Sequence, residues 1–180
     1  LEIKNLSKTY SNGVKALSNV NLSVPKGMFG LLGPNGAGKS SLMRTIATLQ
    51  SADTGTIQFD GINVLQDPNA LRKTLGYLPQ DFNVYPRINA FDLLNHLAIL
   101  KGMQNKKQRH ETVNALLAHT NLYQHKDKAV SSYSGGMRQR FGIAQALIGD
   151  PKLLIVDEPT AGLDPEERNR FHNLLVSLGE

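Results

Sequence analysis

Residues 33–40 have the types and spacing needed to bind a phosphate chain. They read G-P-N-G-A-G-K-S and match the pattern G-x-x-x-x-G-K-[ST]. Glycines let the backbone curl so that successive N–H groups converge on phosphate oxygens. A lysine adds positive charge for the β- and γ-phosphates, and a serine hydroxyl can ligate Mg²⁺. The pattern predicts a phosphate-binding loop; the alternative is a glycine-rich turn that a Lys-Ser pair follows by chance.

Two adjacent carboxylates, Asp157 and Glu158, follow the apolar run L-L-I-V at residues 153–156. A buried strand delivers such acids to its carboxyl end, where ligands bind in open α/β sheets. Asp157 could hold a metal through water, and Glu158 could polarise an attacking water. The alternative is a strand that ends in solvent. The two acids indicate a catalytic site only in combination with the phosphate-binding loop.

A third candidate element is Ser134-Gly135-Gly136, placed at the predicted start of a helix. A serine N-cap followed by glycines leaves a helix N-terminus open to an anion. One nucleotide hardly needs two such sites on one chain, which suggests that the second site binds a phosphate held by another subunit. A simple capped helix is the alternative.

The elements that position these residues follow from apolar periodicity. Alternation predicts strands over 1–8 and 20–24, with a turn at 11–13 between them. Apolar runs predict strands over 28–32, 56–59, 75–78 and 153–156, with a turn at Asp60-Gly61.

Helical spacing replaces strand patterns between residue 89 and about residue 148. A further helix is predicted from Lys39, and Asp164-Pro165 predicts the N-cap and first turn of a last one. The inner face of that last helix is predicted to carry Phe171, Leu174, Leu175 and Leu178. The layout is an α/β core with a helical insertion.

Composition narrows the functional classes. The 180 residues have 40% hydrophobic and 19% charged side chains, which is typical of a folded globular domain. No apolar run is long enough to predict a transmembrane helix. The chain has no cysteine, so disulfides and thiol chemistry are excluded. Its net charge is +5, but the basic stretch at 101–110 lacks interleaved aromatics, so nucleic acid is not an expected partner.

The motifs together resemble those of the ATP-binding cassette (ABC) family. The resemblance rests on the phosphate loop, Gln80, the run Y-S-G-G-M at 133–137, the run L-L-I-V-D-E at 153–158, and A-G-L-D at 161–164. It implies a single α/β domain with a P-loop NTPase core and a mostly parallel sheet. It also implies an N-terminal antiparallel β subdomain and an inserted α-helical subdomain. The implied ranges are 1–80 and 150–180 for the nucleotide-binding core, and about 81–149 for the helical subdomain.

The resemblance also implies a role for individual residues, with ATP and Mg²⁺ as ligands. Tyr10 would stack on adenine, Gln80 would reach Mg²⁺ and the attacking water, and Glu158 would be the catalytic base. Ser40 and, through water, Asp157 would hold the metal. Lys39 would both bind the phosphates and take part in catalysis. The triphosphate would be bound by Gly33, Pro34, Asn35, Gly36, Ala37, Gly38, Lys39, Ser40 and Ser41.

The resemblance further implies a head-to-tail dimer with two ATP molecules at its interface. Ser134, Gly135 and Gly136 would contact the γ-phosphate of the ATP bound by the second ATPase subunit, which is expected to be an identical copy. Asp164 would pack across the dimer interface. A separate membrane permease would dock near residues 80–86, where Phe82 and Tyr85 could anchor it; the alternative is that both rings cover the subdomain core. The expected location is cytoplasmic, on the inner face of the cell membrane.

Three departures from the family pattern modify this expectation. Tyr133 stands where leucine is usual and Met137 where glutamine is commonest, a variant that resembles drug, polysaccharide and lipid exporters. The family's switch histidine lies further downstream than Glu180 allows, because His172 comes too early. The chain is therefore expected to be C-terminally truncated and impaired in hydrolysis.

Three functional classes remain at this point. The first is the ATPase subunit of a transporter, and export is favoured. The second is a soluble ABC ATPase that acts on ribosomes or DNA, although the short segment 81–133 argues against the chromosome type with its long coiled-coil insertion. The third is a nucleotide-binding regulator without turnover, which Glu158 argues against.

Overall fold

The computed structural model describes residues 1–80, 87–157 and 164–179. The chain divides into two compact units, Leu1–Lys73 and Thr74–Glu180. The predicted helical-subdomain and core ranges follow different boundaries from these units and remain predictions.

The first unit is built on a four-stranded antiparallel sheet of order β2-β1-β3-β4. Its strands are β1 (Glu2–Thr9), β2 (Lys15–Ser23), β3 (Thr54–Phe59) and β4 (Ile62–Asn63). The predicted turn at Asp60-Gly61 joins β3 to β4, and both residues have the positive φ that a tight hairpin turn requires. Ile3, Leu6 and Ile57 form part of the buried face of this sheet.

The predicted strand over residues 28–32 is wrong. These residues belong to no strand, and Met28, Phe29 and Leu32 are exposed by 67%, 48% and 99%. A strand requires a paired neighbour, and none of the described strands of the first unit pairs with this run. Gly30 inside the run also weakens its own preference for extended structure.

Two helices complete the first part of the chain. Helix α1 (Lys39–Ile46) begins where the lysine of the phosphate pattern predicts and buries Leu42, Thr45 and Ile46. Helix α2 (Pro68–Thr74) was not predicted, because Leu71 is its one buried residue and a single apolar position gives no helical period.

A parallel pair of strands organises the second unit. Strand β5 (Leu75–Leu78) has the predicted bounds and pairs with β6 (Leu153–Val156), so that Leu78 faces Val156. One side of this pair packs against the buried Ile143 and Ala146 of a helix described below. Because parallel strands share a carboxyl edge, the residues after Leu78 and after Val156 emerge at the same edge.

Three helices carry the larger core of the second unit. They are α3 (Ala90–Leu100), α4 (Lys106–His119) and α5 (Gly135–Leu147). Asn89 and Asn105 cap the first two by accepting N–H bonds from Asp92 and Gln108. The predicted helical region is confirmed. Its core comprises Ala90, Leu93, Leu94, Ala98, Val113, Leu117, Leu122, Val130, Tyr133, Phe141, Ala144 and Ile148.

Helix α6 (Pro165–Gly179) begins with proline at its first position, as predicted from Asp164-Pro165. The backbone carbonyl of Asp164 accepts the N–H of Arg168 at 2.9 Å, the first turn of the helix. Leu174 packs against the cluster around Leu78, in agreement with the predicted inner face. The side chains of Phe171, Leu175 and Leu178 lie outside the described residues.

Candidate functional site

The phosphate-binding loop of residues 33–38 leads directly into α1. Gly38 is the N-cap of that helix and has φ +92°, a left-handed conformation that favours glycine. A Cβ at this position would lie 2.4 Å from the backbone oxygen of Ala16, so no larger residue fits. Gly36 also has positive φ, at +81°. No side chain caps α1, and its first N–H groups therefore lie at an uncapped helix N-terminus.

Lys39 holds the loop in its curled form. Its ammonium Nζ donates to the backbone oxygens of Gly33 at 2.6 Å and Pro34 at 2.9 Å. The N–H of Ala37 donates to the Pro34 oxygen at 3.2 Å, which closes a turn inside the loop. Residues 34–37, which include Asn35, are exposed, whereas Lys39 and Ser40 are half-buried. The positive charge of Lys39 thus lies inside the loop that curls around it.

Tyr10 lies in the same unit as the loop and contacts α1. Its hydroxyl forms a hydrogen bond of 2.9 Å with the Ser41 hydroxyl and donates to Gln50 Oε1 at 3.2 Å. The residue as a whole is 36% exposed to solvent. The structure therefore brings together Tyr10, predicted to stack on adenine, and Ser41, predicted to bind the triphosphate.

The backbone that carries Tyr10 is held by Asp53. The Asp53 carboxylate accepts the N–H of Thr9 at 2.6 Å and the Lys8 ammonium at 3.2 Å. The Thr9 bond, and then the Lys8 bond, hold the pKa of Asp53 below its ordinary value. Beyond β1, the N–H of Tyr10 donates to the Val14 oxygen at 2.9 Å, which confirms the predicted turn around Ser11–Gly13.

Two residues that are predicted to bind the metal or the attacking water follow the carboxyl ends of β5 and β6. Asp157 follows β6, is 3% exposed, and donates its backbone N–H to the Leu78 oxygen at 3.0 Å. Gln80 follows β5 by two residues and is exposed. Glu158, the predicted catalytic base, lies outside the described residues, as do the docking segment 81–86 and residues 161–163.

The Ser134-Gly135-Gly136 element opens α5 as predicted. The Ser134 hydroxyl caps the helix by accepting the N–H of Met137 at 3.2 Å, and Ser134 and Gly135 are both exposed while Gly136 is buried. A Cβ at Gly135 would meet no heavy atom within 4 Å among the described residues. Glycine is a poor helix residue, so nothing in the described part of the chain explains its presence at Gly135.

Tyr133, which departs from the usual leucine, is a structural residue. It is 3% exposed, packs edge-on against Phe141, and donates its hydroxyl to the backbone oxygen of His125 at 2.8 Å. Burial, and then the negative charge of Asp127, raise the pKa of Tyr133 to about 12. This hydrogen bond anchors the residue that immediately precedes the Ser134 cap.

Sequence reasoning missed two residues that position the site. Gly76 lies where a Cβ would stand 2.1 Å from the Ala146 backbone oxygen, so α5 can approach β5 closely. A glycine inside a short apolar strand is the signal that could have indicated it. Gln50, by contrast, comes after α1 and belongs to no recognisable sequence motif. Only its contacts in the structure indicate its role.

No cluster of three or more metal-binding histidine or acidic side chains occurs among the residues that the structure describes. In the same described ranges, no helix is long and apolar enough to cross a membrane.

Comparison with known proteins decides the family. The model of the family described as ABC transporter matches residues 17–161. The chain belongs to the ABC transporter family. The predicted resemblance and fold class are thereby confirmed. Two solved structures of one bacterial ABC transporter cassette support the fold, and both are dimeric: one is a post-hydrolysis state bound to ADP and Pi. Their TM-scores are 0.89 and 0.88, at 30% and 29% identity, and each comparison covers 99% of this chain and 82% of the other.

Curated relatives include proteins named for transport in both directions. A daunorubicin/doxorubicin resistance ATP-binding protein of Streptomyces peucetius is 36% identical over 99% of this chain and 54% of its own length. A Nod factor export ATP-binding protein of Cupriavidus metallidurans is 38% identical, over 99% and 58%. A phosphonates import ATP-binding protein of Chromohalobacter salexigens is 35% identical, over 100% and 71%. The chain thus spans little more than half the length of the first and second of these relatives.

Proposed function

We propose that this chain binds and hydrolyses ATP as the motor of an ABC transporter, and that it drives substrate movement through a separate membrane subunit. The single observation that carries the proposal is the curled loop at the uncapped N-terminus of α1, with the Lys39 ammonium held inside it. Backbone N–H groups, a helix dipole and a fixed cation together form an anion site suited to a phosphate chain.

Each loop residue has a defined part in this proposal. The Lys39 ammonium exchanges its bonds to the Gly33 and Pro34 oxygens for the β- and γ-phosphate oxygens, which are stronger partners because they are charged. The exposed backbone of residues 34–37 follows the phosphates, and Gly38 lets the chain enter α1 at that point. Tyr10, which is partly exposed, stacks its ring on the adenine base.

The residues proposed to hold Mg²⁺ fit a hard cation. Ser40, Gln80 and Asp157 offer a hydroxyl, an amide and a carboxylate oxygen, the donor types that Mg²⁺ prefers. The metal, when bound, would neutralise charge on the phosphates. Mg²⁺ usually takes few protein ligands and keeps waters and phosphate oxygens. A Mg²⁺ site therefore does not require three or more acidic or histidine side chains, and no such cluster occurs among the described residues.

Hydrolysis is assigned to Glu158 and Gln80. Asp157 lies at the carboxyl edge of the β5–β6 pair, and Glu158 follows it in the sequence as the next carboxylate, which we assign to polarising the attacking water. Gln80 would orient that water from the end of the paired strand.

A head-to-tail dimer explains Ser134 and Gly135. Ser134 caps α5 at an exposed helix start, and Gly135 leaves open space that a side chain would occupy. We infer that the γ-phosphate of ATP bound by the partner copy fills that space, assisted by the α5 dipole. Both solved structures of the ABC cassette with the same fold are dimeric, which supports this arrangement.

The membrane subunit is proposed to dock on residues 80–86, from the cytoplasmic side of the membrane. Phe82 and Tyr85 follow Gln80 by two and five positions in the sequence. Movement of Gln80 with nucleotide state would therefore also move the docking segment. Replacement of both aromatics with serine should abolish co-purification with the membrane subunit and leave the melting temperature and ATP affinity unchanged. Tyr123→Ser, at a 42% exposed tyrosine elsewhere, is the control. A large fall in melting temperature with docking intact would instead place the two rings in the core.

Export is the proposed direction of transport. The Tyr133 and Met137 variant favours it, and relatives named for drug resistance and Nod factor export are compatible with it. Another relative is named for phosphonates import, and we attribute the direction and the substrate to the membrane subunit rather than to the cassette.

The proposal is tested with Glu158→Gln in the purified full-length protein. Loss of a positioned general base should lower ATP turnover by about 10²–10⁴-fold while ATP binding survives, and gel filtration should show a trapped ATP-bound dimer. Glu111→Gln removes an exposed carboxylate on α4 and is the matched control. Unchanged turnover in Glu158→Gln, with the control also unchanged, would show that another residue is the general base.

A further inference from the structure

A closed hydrogen-bond network connects Gln50 to Tyr10 across α1. Gln50 Nε2 donates to the Ser41 backbone oxygen and to Thr45 Oγ1, each at 2.9 Å. Thr45 Oγ1 in turn donates to the same Ser41 oxygen at 2.7 Å, so its lone pair is available to Gln50. Gln50 Oε1 accepts from the Tyr10 hydroxyl at 3.2 Å, and that hydroxyl also bonds the Ser41 hydroxyl at 2.9 Å.

The network fixes which end of the Gln50 amide faces Tyr10. The Ser41 backbone oxygen can only accept, so the amide NH₂ group must point toward it. The amide oxygen then has one remaining direction, toward the Tyr10 hydroxyl. Because that hydroxyl donates its proton to Gln50, the hydroxyl of Ser41 must be the donor in the Tyr10–Ser41 bond. Every proton in the network therefore has one consistent position.

Burial gives the network a rigid base. Thr45 is fully buried in α1, and Gln50 and Ser41 are half-buried, whereas Tyr10 is 36% exposed. The β1 backbone is held separately by Asp53, but nothing in that contact fixes the direction of the Tyr10 ring. The ring's orientation depends on what holds its hydroxyl at the far end.

We propose that Gln50 is a positioning residue for the nucleotide base: it holds the Tyr10 ring in a fixed orientation by accepting a hydrogen bond from its hydroxyl. This inference rests on the proposed role of Tyr10 in base stacking. A pre-oriented ring loses less conformational freedom when a base stacks on it, so the network raises affinity without touching the ligand. Gln50 should act on the base alone and leave phosphate binding unchanged.

Calorimetry with two ligands tests this. Mg-ATP carries a base, and Mg-tripolyphosphate does not. Gln50→Leu and Tyr10→Phe both break the Tyr10–Gln50 hydrogen bond, although Tyr10→Phe also breaks the bond to Ser41 and Gln50→Leu the bonds to the Ser41 oxygen and Thr45. Each variant should weaken Mg-ATP binding by about two- to tenfold. The double variant should bind no more weakly than the weaker single variant, because the Tyr10–Gln50 bond that orients the ring is already broken in each single variant. Tripolyphosphate affinity should stay at the wild-type value in all three.

Controls separate this inference from the proposed function. Gln58→Leu makes the same change on an exposed position of β3 and should leave both affinities unchanged. Tyr10→Ala should weaken Mg-ATP binding at least as much as Tyr10→Phe. Wild-type protein that fails to bind ATP would contradict the proposed function itself.

Three results would overturn the role of Gln50 while ATP binding stands. One is unchanged ATP affinity in Gln50→Leu or in Tyr10→Ala. Another is additive losses in the double variant. The third is an equal loss for tripolyphosphate, which would place the effect in α1 and the phosphate loop. If Gln50→Leu lowers the melting temperature strongly, Gln50→Ala and the Tyr10→Phe variant supply the same comparison.

Discussion

Gly76 of β5 lies against the backbone oxygen of Ala146 in α5, so closely that a Cβ on Gly76 would stand 2.1 Å from it. The contact joins the strand that leads to Gln80 to the helix that Ser134 caps. Two elements that carry proposed nucleotide contacts are thus packed backbone to backbone. An added methyl group at this position must push the helix off the strand.

Gly76→Ala should therefore destabilise the protein. Overpacking of this kind costs about 1–3 kcal/mol, which corresponds to a fall in melting temperature of roughly 2–12 °C for a chain of this size. Thermal unfolding followed by circular dichroism measures the change. Gly30→Ala is the matched control, because a Cβ there meets no described heavy atom within 4 Å. Equal melting temperatures for wild type and Gly76→Ala would refute the close packing of α5 on β5.

The burial of Tyr133, and then the negative charge of Asp127, predict a specific alkaline pH dependence. The pKa of Tyr133 is raised to about 12 in the folded chain, above the value of 10.0 for a free tyrosine. The unfolded chain thus loses the proton first, and the stability that this group contributes is present below pH 10 and is lost as the pH rises toward 12.

Tyr133→Phe tests this window with urea unfolding at several pH values. At pH 8 the variant should be less stable by about 0.5–1.5 kcal/mol, the net value of one hydrogen bond. Between pH 10 and 12 the wild type should lose more stability than the variant, so the difference between them should shrink. Parallel stability curves over that range would mean that Tyr133 does not set the alkaline limit.

Local patterns predicted much of this fold from the sequence. Strand β5 has the predicted bounds because an apolar run stops at Pro79, and Ser134 caps α5 because a serine precedes a helical pattern. Strand β2 was predicted only over residues 20–24, since its first half is largely polar and exposed. Each of these outcomes depends on residues close together in the chain.

Long-range contacts account for what the sequence could not predict. The run 28–32 has the composition of a buried strand, but its composition does not tell whether another strand pairs with it. Gln50 meets Tyr10 from 40 positions away, through side-chain amide geometry that no motif encodes. The roles predicted for Lys39, Ser40, Gln80, Asp157 and Glu158 remain predictions that the variants above and below test.

Ser134→Arg tests the proposed contact between the Ser134-Gly135-Gly136 element and the ATP bound by the partner copy. Its side chain would fill the space reserved for the partner's γ-phosphate, so ATP-driven dimerisation and turnover should be lost together while monomer ATP affinity stays unchanged. Loss of the cap should itself cost only about 1 kcal/mol. Ser51→Arg, at an exposed serine outside the Ser134-Gly135-Gly136 element, is the control.

Mixing variants sharpens that experiment. Lys39→Ala subunits paired with Ser134→Arg subunits should recreate one intact composite site and recover turnover that neither variant has alone. A fall in monomer ATP affinity in Ser134→Arg, equal to that in Lys39→Ala, would show that the Ser134-Gly135-Gly136 element acts within its own chain.

Calorimetric titration of Lys39→Ala with Mg-ATP tests the central claim most directly, because Lys39 is the cation inside the phosphate loop. Lys4→Ala, at an exposed lysine on β1, controls for the loss of one positive charge. We predict that Lys39→Ala weakens Mg-ATP binding by about 100-fold or more, the loss expected for two charge-assisted hydrogen bonds, while Lys4→Ala binds as the wild type does. Wild-type affinity in a folded Lys39→Ala protein would contradict the assignment of the loop to ATP.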